Sequence, residues 1–465
     1  MGEAAHDILI IGGGPGGYTA ALKAAMMGAK TVLIEKDQVG GTCLNRGCIP
    51  TKALLQSAER YQEAKGSSAY GVRAENVALD MKKVDAFRKR SVKTLVKGIE
   101  YLINARKVEL VRGEASFRDA KTVLVHKADG TEEELTAKNI IIAAGSEVSF
   151  PPIPGIRGRG VITSTEALEC ETLPESMVII GGGVIGVEIA TAYAAFGVKI
   201  TILEAMDSLL PNIDREVSAE FKSLVKGRFK VFTGARVEEI LDREEGGKIV
   251  KYTLEGEEKE VSADKVLVCI GRKPSIEGLG LERAGVQTER GRVLVDENFK
   301  TSADGIYCIG DANGKCMLAH AAAAQGKIVV TRLLGEECGI DPDLVSSCIY
   351  TDPEIASVGI SEEQAKAAGL AYKAGKFNFA ANGRSMILGK RTGFVKMIAE
   401  AESGRVLGVH MIGPCATELI AECALAIKMK CTVTDIADTI HAHPTVSEAV
   451  EEAAESLLGG AIDMI

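Results

Sequence analysis

Short apolar runs, glycine turns and Ala-rich amphipathic stretches alternate along the first half of the chain. DILIIGGGPGGYTAALKAAMMGAKTVLIEK, from Asp7 to Lys36, reads as a strand, a glycine turn, a helix and a second strand ending in an acid. SMVIIGGGVIGVEIATAYAAFGVKITILEA, from Ser176 to Ala205, repeats that plan. Three more apolar runs end in glycine: IIIAAGS (Ile140–Ser146), VLVCIGR (Val266–Arg272) and GIYCIGDAN (Gly305–Asn313). The first two follow one copy of the repeat each, which places exits from two α/β units near residues 147 and 277. TKALLQSAERYQEA after Pro50 and TVSEAVEEAAESLL after Pro444 have helical periodicity.

Each copy carries G-x-G-x-x-G, as Gly12, Gly14, Gly17 and as Gly181, Gly183, Gly186. Eighteen residues separate Gly17 from Glu35 and Gly186 from Glu204, close to the spacing of a dinucleotide fingerprint. The first glycine permits a tight turn, the second lets backbone N–H groups approach a pyrophosphate, and the third lets helix and strand pack closely. The helix N-terminus then favours the phosphate charge. Glu35 and Glu204 end their strands where a carboxylate meets ribose hydroxyls, so two dinucleotides per chain are expected. No Lys or Arg follows Glu204 before Arg215, which favours NAD(H) over NADP(H) in the second unit. Asp311 ends a strand where a hydroxyl chain would lie, although a turn aspartate before Gly314 accounts for it equally well.

Composition adds limits. A chain of 465 residues implies about three domains, and its 46% hydrophobic and 26% charged content is that of a globular protein. No apolar run reaches the length of a membrane span, and MGEAAHDILIIGGG lacks the pattern of a secretory signal, so cytoplasmic residence is expected. The net charge of -9 is read as evenly spread, with no dense Lys/Arg cluster, which argues against nucleic-acid and anionic-membrane partners.

Eleven cysteines, scattered and odd in number, do not form a secreted disulfide framework. Only Cys43 and Cys48, in GGTCLNRGCIPTKALL (Gly40–Leu55), lie close together in a strongly patterned context. Two ligands without a second Cys/His pair do not make a zinc site. Two inert buried thiols remain open on local grounds; against them, Pro50 favours a helix start at Cys48, which would gain thiolate character from the helix dipole.

GGTCLNRGCIPTKALL resembles the active-site segment of the pyridine nucleotide-disulfide oxidoreductases, and the resemblance extends along essentially the whole chain. It takes in both glycine fingerprints, TSADGIYCIGD (Thr301–Asp311), YTDPEIASVG (Tyr350–Gly359), FNFAANGRSM (Phe377–Met386) and HAHPTVSEAVEEAA (His441–Ala454). It implies a dimeric flavoprotein of α/β class, with two Rossmann-like domains and an α+β dimerisation domain. The implied division is an FAD-binding domain over 1–147, an NAD-binding domain over 148–277, a central domain over 278–345 completing the FAD site, and an interface domain over 346–465. Cys43 would be the exposed interchange thiol and Cys48 the thiol against the flavin, with Lys52 near the flavin and Glu188 as its partner. FAD would be bound by Gly12, Gly14, Gly17, Glu35, Lys52, Ala115, Asp311 and the backbone of Met317, Leu318, Ala319 and His320. NAD would be bound by Gly181, Gly183, Gly186, Glu188, Glu204, Val237 and Gly271. His443, oriented by Glu448, would act as a base across the interface of a homodimer.

The closest likeness within the family is to its lipoamide-linked members. It implies oxidation of dihydrolipoamide, carried on a lipoyl-bearing protein of a 2-oxo acid dehydrogenase complex or the glycine cleavage system, with NAD as acceptor. A reductase of another disulfide and a flavoprotein transhydrogenase are the alternatives. Glu204 argues against NADPH-dependent reductases, and the intact Cys43, Cys48, His443 and Glu448 set argues against a transhydrogenase. Arg46 stands where many members carry a small apolar residue, and the C-terminal GGAIDMI lacks the cysteine pair of other branches.

Overall fold

The computed structural model describes residues 5–169 and 171–460. Cys170 and the last five residues of the GGAIDMI tail lie outside the described residues. The first sheet is parallel, in the order Glu109–Arg112, Thr31–Glu35, His6–Ile11, Glu132–Ile142, with Ile306–Cys308 beyond. Its central strands are continuous apolar runs because both faces are covered, one by helices and the other by the strands Glu114–Phe117 and Thr122–His126 with residues 279–306, and Ile8, Leu9 and Ile10 are fully buried. The N-terminal half of Glu132–Ile142 turns away to pair antiparallel with Thr122–His126, which pairs with Glu114–Phe117.

The second sheet repeats this plan beyond the thirty-residue echo in sequence. Its parallel order is Lys230–Thr233, Lys199–Glu204, Ser176–Ile180, Lys265–Val268, Val161–Ile162, and an antiparallel meander of three strands (Arg236–Asp242, Lys248–Leu254, Glu257–Ala263) again accompanies it. The two exits meet in a short ladder, Ser146–Val148 against Arg272–Pro274.

Segment 278–345 packs as part of the first unit. Leu279, Leu281, Val293 and Ile306 enter the core beneath the first sheet. The helix Ala319–Leu333 lies against the helix Pro15–Met26 through small residues: a Cβ on Gly326 would come within 2.8 Å of the Gly16 carbonyl. That close approach brings the start of the second helix, Leu318–His320, beside the first glycine turn.

The C-terminal sheet is antiparallel, in the order Ser347–Ile349, Glu354–Gly359, Val406–Gly413, Phe394–Glu400, Tyr372–Asn378. The helices Ala416–Met429 and Glu448–Glu455 cover one face. From the other, Ile349, Ile355, Phe394 and Ile412 join a core shared with the second sheet and with Leu54 and Ala58 of the helix Cys48–Gly66. Three segments far apart in sequence thus meet in one apolar cluster.

The even spread of charge expected from the sequence is corrected by the helix Met81–Ala105, which gathers Lys82, Lys83, Arg88, Lys89, Arg90, Lys93 and Lys97. Part of that charge is neutralised locally, since Asp85 accepts from buried Arg88 at 2.6 Å and pairs with Lys89 at 2.5 Å. No described helix is long and apolar enough to cross a membrane.

Candidate active site

The two glycine turns are built alike. Gly12 and Gly181 have φ of 104° and 108°, and a Cβ on either would overlap the carbonyl of the neighbouring strand, Ala143 or Cys269. A Cβ on Gly17 or Gly186 would overlap the carbonyl of Gly12 or Gly181 in turn, so each third glycine lets its helix sit directly on the turn. The second glycines face outward, Gly14 with only the Gly41 Cα at 3.9 Å and Gly183 with nothing within 4 Å. These are cradles whose inner positions must be glycine for packing and whose outer position is open for a phosphate.

The acids are locked in the same way in both. Glu35 accepts the Gly13 N–H at 2.6 Å and the Asp37 N–H at 2.7 Å; Glu204 accepts those of Gly182 at 2.5 Å and Met206 at 2.7 Å. Gly113 N–H donates to the Glu35 carbonyl, which sets Ala115 at the start of the meander beside the first cradle. Ala235 N–H donates to the Glu204 carbonyl and sets Val237 correspondingly in the second, while Gly271, at φ 118°, follows the strand Lys265–Val268.

Between the cradles lies the cysteine pair. Gly40 and Gly41, both at positive φ, turn the chain into a short helix, Gly41–Arg46, and Gly47 breaks it before the helix Cys48–Gly66 begins. Cys43 therefore sits inside one helix and Cys48 opens the next. The two thiols lie close enough to shift each other's titration. That coupling to Cys43, followed by the Lys52 charge, lowers the Cys48 thiol to about 7 against partial desolvation. The same coupling, together with burial, pushes Cys43 well above the ordinary thiol range.

Lys52 Nζ lies 2.9 Å from both carboxylate oxygens of Glu188, which is almost fully buried in the helix Val184–Ala195. The same Nζ stands 4.6 Å from the ring centroid of Tyr350, whose N–H donates to Glu188 Oε1 at 2.8 Å. Asp311 accepts the Ser146 hydroxyl at 2.5 Å, and that hydroxyl accepts Arg272 Nε at 2.7 Å. At the C-terminal end, His443 Nδ1 lies 2.7 Å from Glu448 Oε1, and Thr445 N–H donates to Glu448 Oε2 at 2.7 Å. Burial pushes the Glu448 carboxyl up, but the Thr445 N–H and the His443 ring outweigh it and hold the group below its usual range. His443 itself is exposed.

Residues 6–326 match the family model described as pyridine nucleotide-disulphide oxidoreductase, and residues 345–454 match that family's dimerisation domain. The chain belongs to the pyridine nucleotide-disulphide oxidoreductases. Similar proteins include the dihydrolipoyl dehydrogenase of Geobacillus stearothermophilus, 43% identical with 99% of this chain and 97% of the relative covered. That of Chlorobaculum parvum is 44% identical with 98% of each covered. Among solved structures, LpdA from Mycobacterium tuberculosis superposes with a TM-score of 0.91 at 29% identity, covering 97% of this chain and 99% of that one. The HOCl-induced flavoprotein disulfide reductase RclA from Escherichia coli gives 0.87 at 29% identity, covering 98% and 99%. FAD and NAD are the cofactors of this oxidoreductase, and the two open cradles with their locked acids fit a pair of dinucleotides.

Cys43 is half-buried against the helix-covered face of the first sheet. Arg46 pairs with Asp37 at the rim of the first cradle. Among the described residues, no hydrogen bond or ion pair joins His443 or Glu448 to Cys43, Cys48 or Lys52 within one chain. Tyr350, Ser146 and Arg272 were missed as site residues; the polar residue directly after each strand-end glycine, in AAGS and CIGR, was the available signal for the last two.

One expected result follows from the thiol pair. In the reduced protein, alkylation by iodoacetamide tracks thiolate, so the rate at Cys48 should fall about tenfold per pH unit below a midpoint near 7. Lys52→Met should move that midpoint upward. A midpoint at the ordinary thiol value in both proteins would remove the case for an activated thiol.

Proposed function

We propose that the chain is a dihydrolipoyl dehydrogenase that oxidises dihydrolipoamide, borne on a lipoyl-carrying partner protein, with NAD as acceptor. The observation that carries this reading is the Cys43–Cys48 pair, the second thiol opening the helix that carries the Glu188-paired Lys52, set between two dinucleotide cradles. Proteins more than 40% identical over their length are dihydrolipoyl dehydrogenases.

The oxidised enzyme begins with a Cys43–Cys48 disulfide. The partner subunit's His443 takes a proton from one substrate thiol, and the resulting thiolate attacks Cys43, releasing Cys48 as thiolate. The second substrate thiol then closes on the first substrate sulfur, giving lipoamide and the reduced cysteine pair. The ring acts as base because Glu448 fixes its Nδ1 side and leaves Nε2 directed outward. Lys52, held by Glu188 and the Tyr350 ring, supports negative charge on Cys48. Bound FAD supplies the two-electron relay from the thiol pair to NAD. In this reading the first cradle, with Glu35, Ala115, Asp311 and 317–320, holds FAD, and the second, with Glu204, Val237 and Gly271, holds NAD.

A homodimer suits this division of labour. The dimerisation domain leaves Leu425, Met429 and Ile440 exposed, the last at 96%, an apolar surface suited to a second copy. Cytoplasmic residence belongs to the same reading.

The deciding assay is NAD reduction by free dihydrolipoamide, run beside NADPH oxidation by glutathione disulfide. Turnover in the first and none in the second is expected. The opposite pattern would replace lipoamide with another disulfide.

A further inference from the structure

The stretch FNFAANGRSM was singled out by resemblance and has no role in the chemistry above. Its asparagine, Asn382, is 4% exposed. Oδ1 accepts the Ser385 N–H at 2.9 Å and the Ser385 hydroxyl at 2.8 Å, capping the short helix Gly383–Ile387. Nδ2 is thereby turned away from that helix and donates to the Thr445 carbonyl at 3.0 Å. The Thr445 N–H binds Glu448 Oε2, and Glu448 Oε1 binds His443.

The other end of the segment is tied to the redox helix. The Leu388 carbonyl accepts the Tyr70 hydroxyl at 2.7 Å, and Lys390 Nζ meets Glu59 Oε1 at 2.5 Å. Glu59 lies on the helix that starts with Cys48, and Tyr70 ends the turn directly after it. Residues 382–390 thus form a strut between that helix and the turn bearing His443.

We propose that Asn382 is a positioning residue for the oxidation of dihydrolipoamide, fixing the His443–Glu448 pair through the backbone of Thr445. The inference rests on the functional reading above. Thr445 is held through the peptide on its N-terminal side by Glu448 and through the peptide on its C-terminal side by Asn382, so its backbone cannot turn without losing a hydrogen bond, and the carboxylate and the imidazole keep one orientation. Removing the Asn382 donor frees the C-terminal peptide of that residue and broadens the set of ring positions.

Asn382→Ser tests this, because serine is itself a good helix cap but its hydroxyl is too short to span to Thr445. The expected result is an about 10-fold or greater fall in kcat for NAD reduction by dihydrolipoamide, with KM for NAD unchanged. FAD content and NADH-driven reduction of an artificial electron acceptor should stay within twofold of the parent, and the thermal midpoint should stay close to it. The double variant N382S/H443Q should be no slower than H443Q alone, since Asn382 acts through that ring. The proposal is overturned by unchanged lipoamide turnover in N382S, by a further tenfold loss in the double variant, or by a parallel fall of both activities. A parent protein that cannot oxidise dihydrolipoamide sinks the functional reading and the proposal together, whereas an active parent beside an unaffected N382S sinks the proposal alone.

Discussion

Cys43→Ser should lower dihydrolipoamide-dependent NAD reduction by roughly 10³-fold or more, because in the proposed reaction it removes the sulfur that exchanges with substrate while the rest of the site stays in place. Serine fits the half-buried position on the helix Gly41–Arg46, so the fold and the cradles should be preserved. NADH-driven reduction of an artificial acceptor, which needs only the two dinucleotides, should continue. Flavin absorbance of the purified variant checks the separation of roles. Loss of flavin would show that Cys43 is structural, and retained lipoamide turnover would assign the exchange to another sulfur. Cys48→Ser would not discriminate so cleanly, because it also removes the thiolate whose charge Lys52 supports.

The second large effect concerns stability. Lys396→Met should cost about 3–5 kcal/mol, because it strands carboxylates around a buried cation. Lys396 is 3% exposed, and its Nζ meets Asp214 at 3.1 Å, Glu216 at 3.1 Å and Glu362 at 2.6 Å. Burial pushes its ammonium group toward deprotonation, but the three carboxylates outweigh that and hold it above its ordinary range. Asp214, fully buried, also caps the helix Arg215–Leu224. The cluster therefore pins the second unit to the C-terminal sheet. A fall of roughly 5 °C or more in thermal midpoint is expected for Lys396→Met, with partial recovery when Asp214→Asn removes the buried negative charge as well. An unchanged midpoint would mean that the cluster is hydrated and contributes little.

Features governed by contacts near in sequence were legible. The cradles follow from glycine spacing because a Gly12 or Gly181 side chain fails against the neighbouring strand, a steric constraint written locally. Glu35 and Glu204 were placed for the same reason. The start of the Cys48 helix was close, two residues before Pro50, but the helix around Cys43 was not foreseen, since it depends on Gly40 and Gly41 at positive φ. Lys52 and Glu188 lie 136 residues apart, and nothing in either local pattern announces the pair; the family resemblance supplied it. Tyr350 escaped because its function lies in a ring face and a backbone N–H. Lys396 escaped because a lysine in an apolar strand becomes buried only when acids from two other elements converge on it. Asn382 was noticed as part of a motif, yet its contact with Thr445 spans 63 residues.

The apolar cluster shared by Leu54, Ala58, the second sheet and the C-terminal sheet bears on how this chain can be cut and recombined. An excised 1–147 fragment would expose the inner side of the very helix that begins with Cys48, so it should behave as an incomplete module prone to aggregation. Chimaeras that exchange nucleotide-binding modules with relatives will need matched residues at 54 and 58 as well as at the crossover points. Modularity in the gene is therefore not modularity in folding, and the redox helix is the place where the two part.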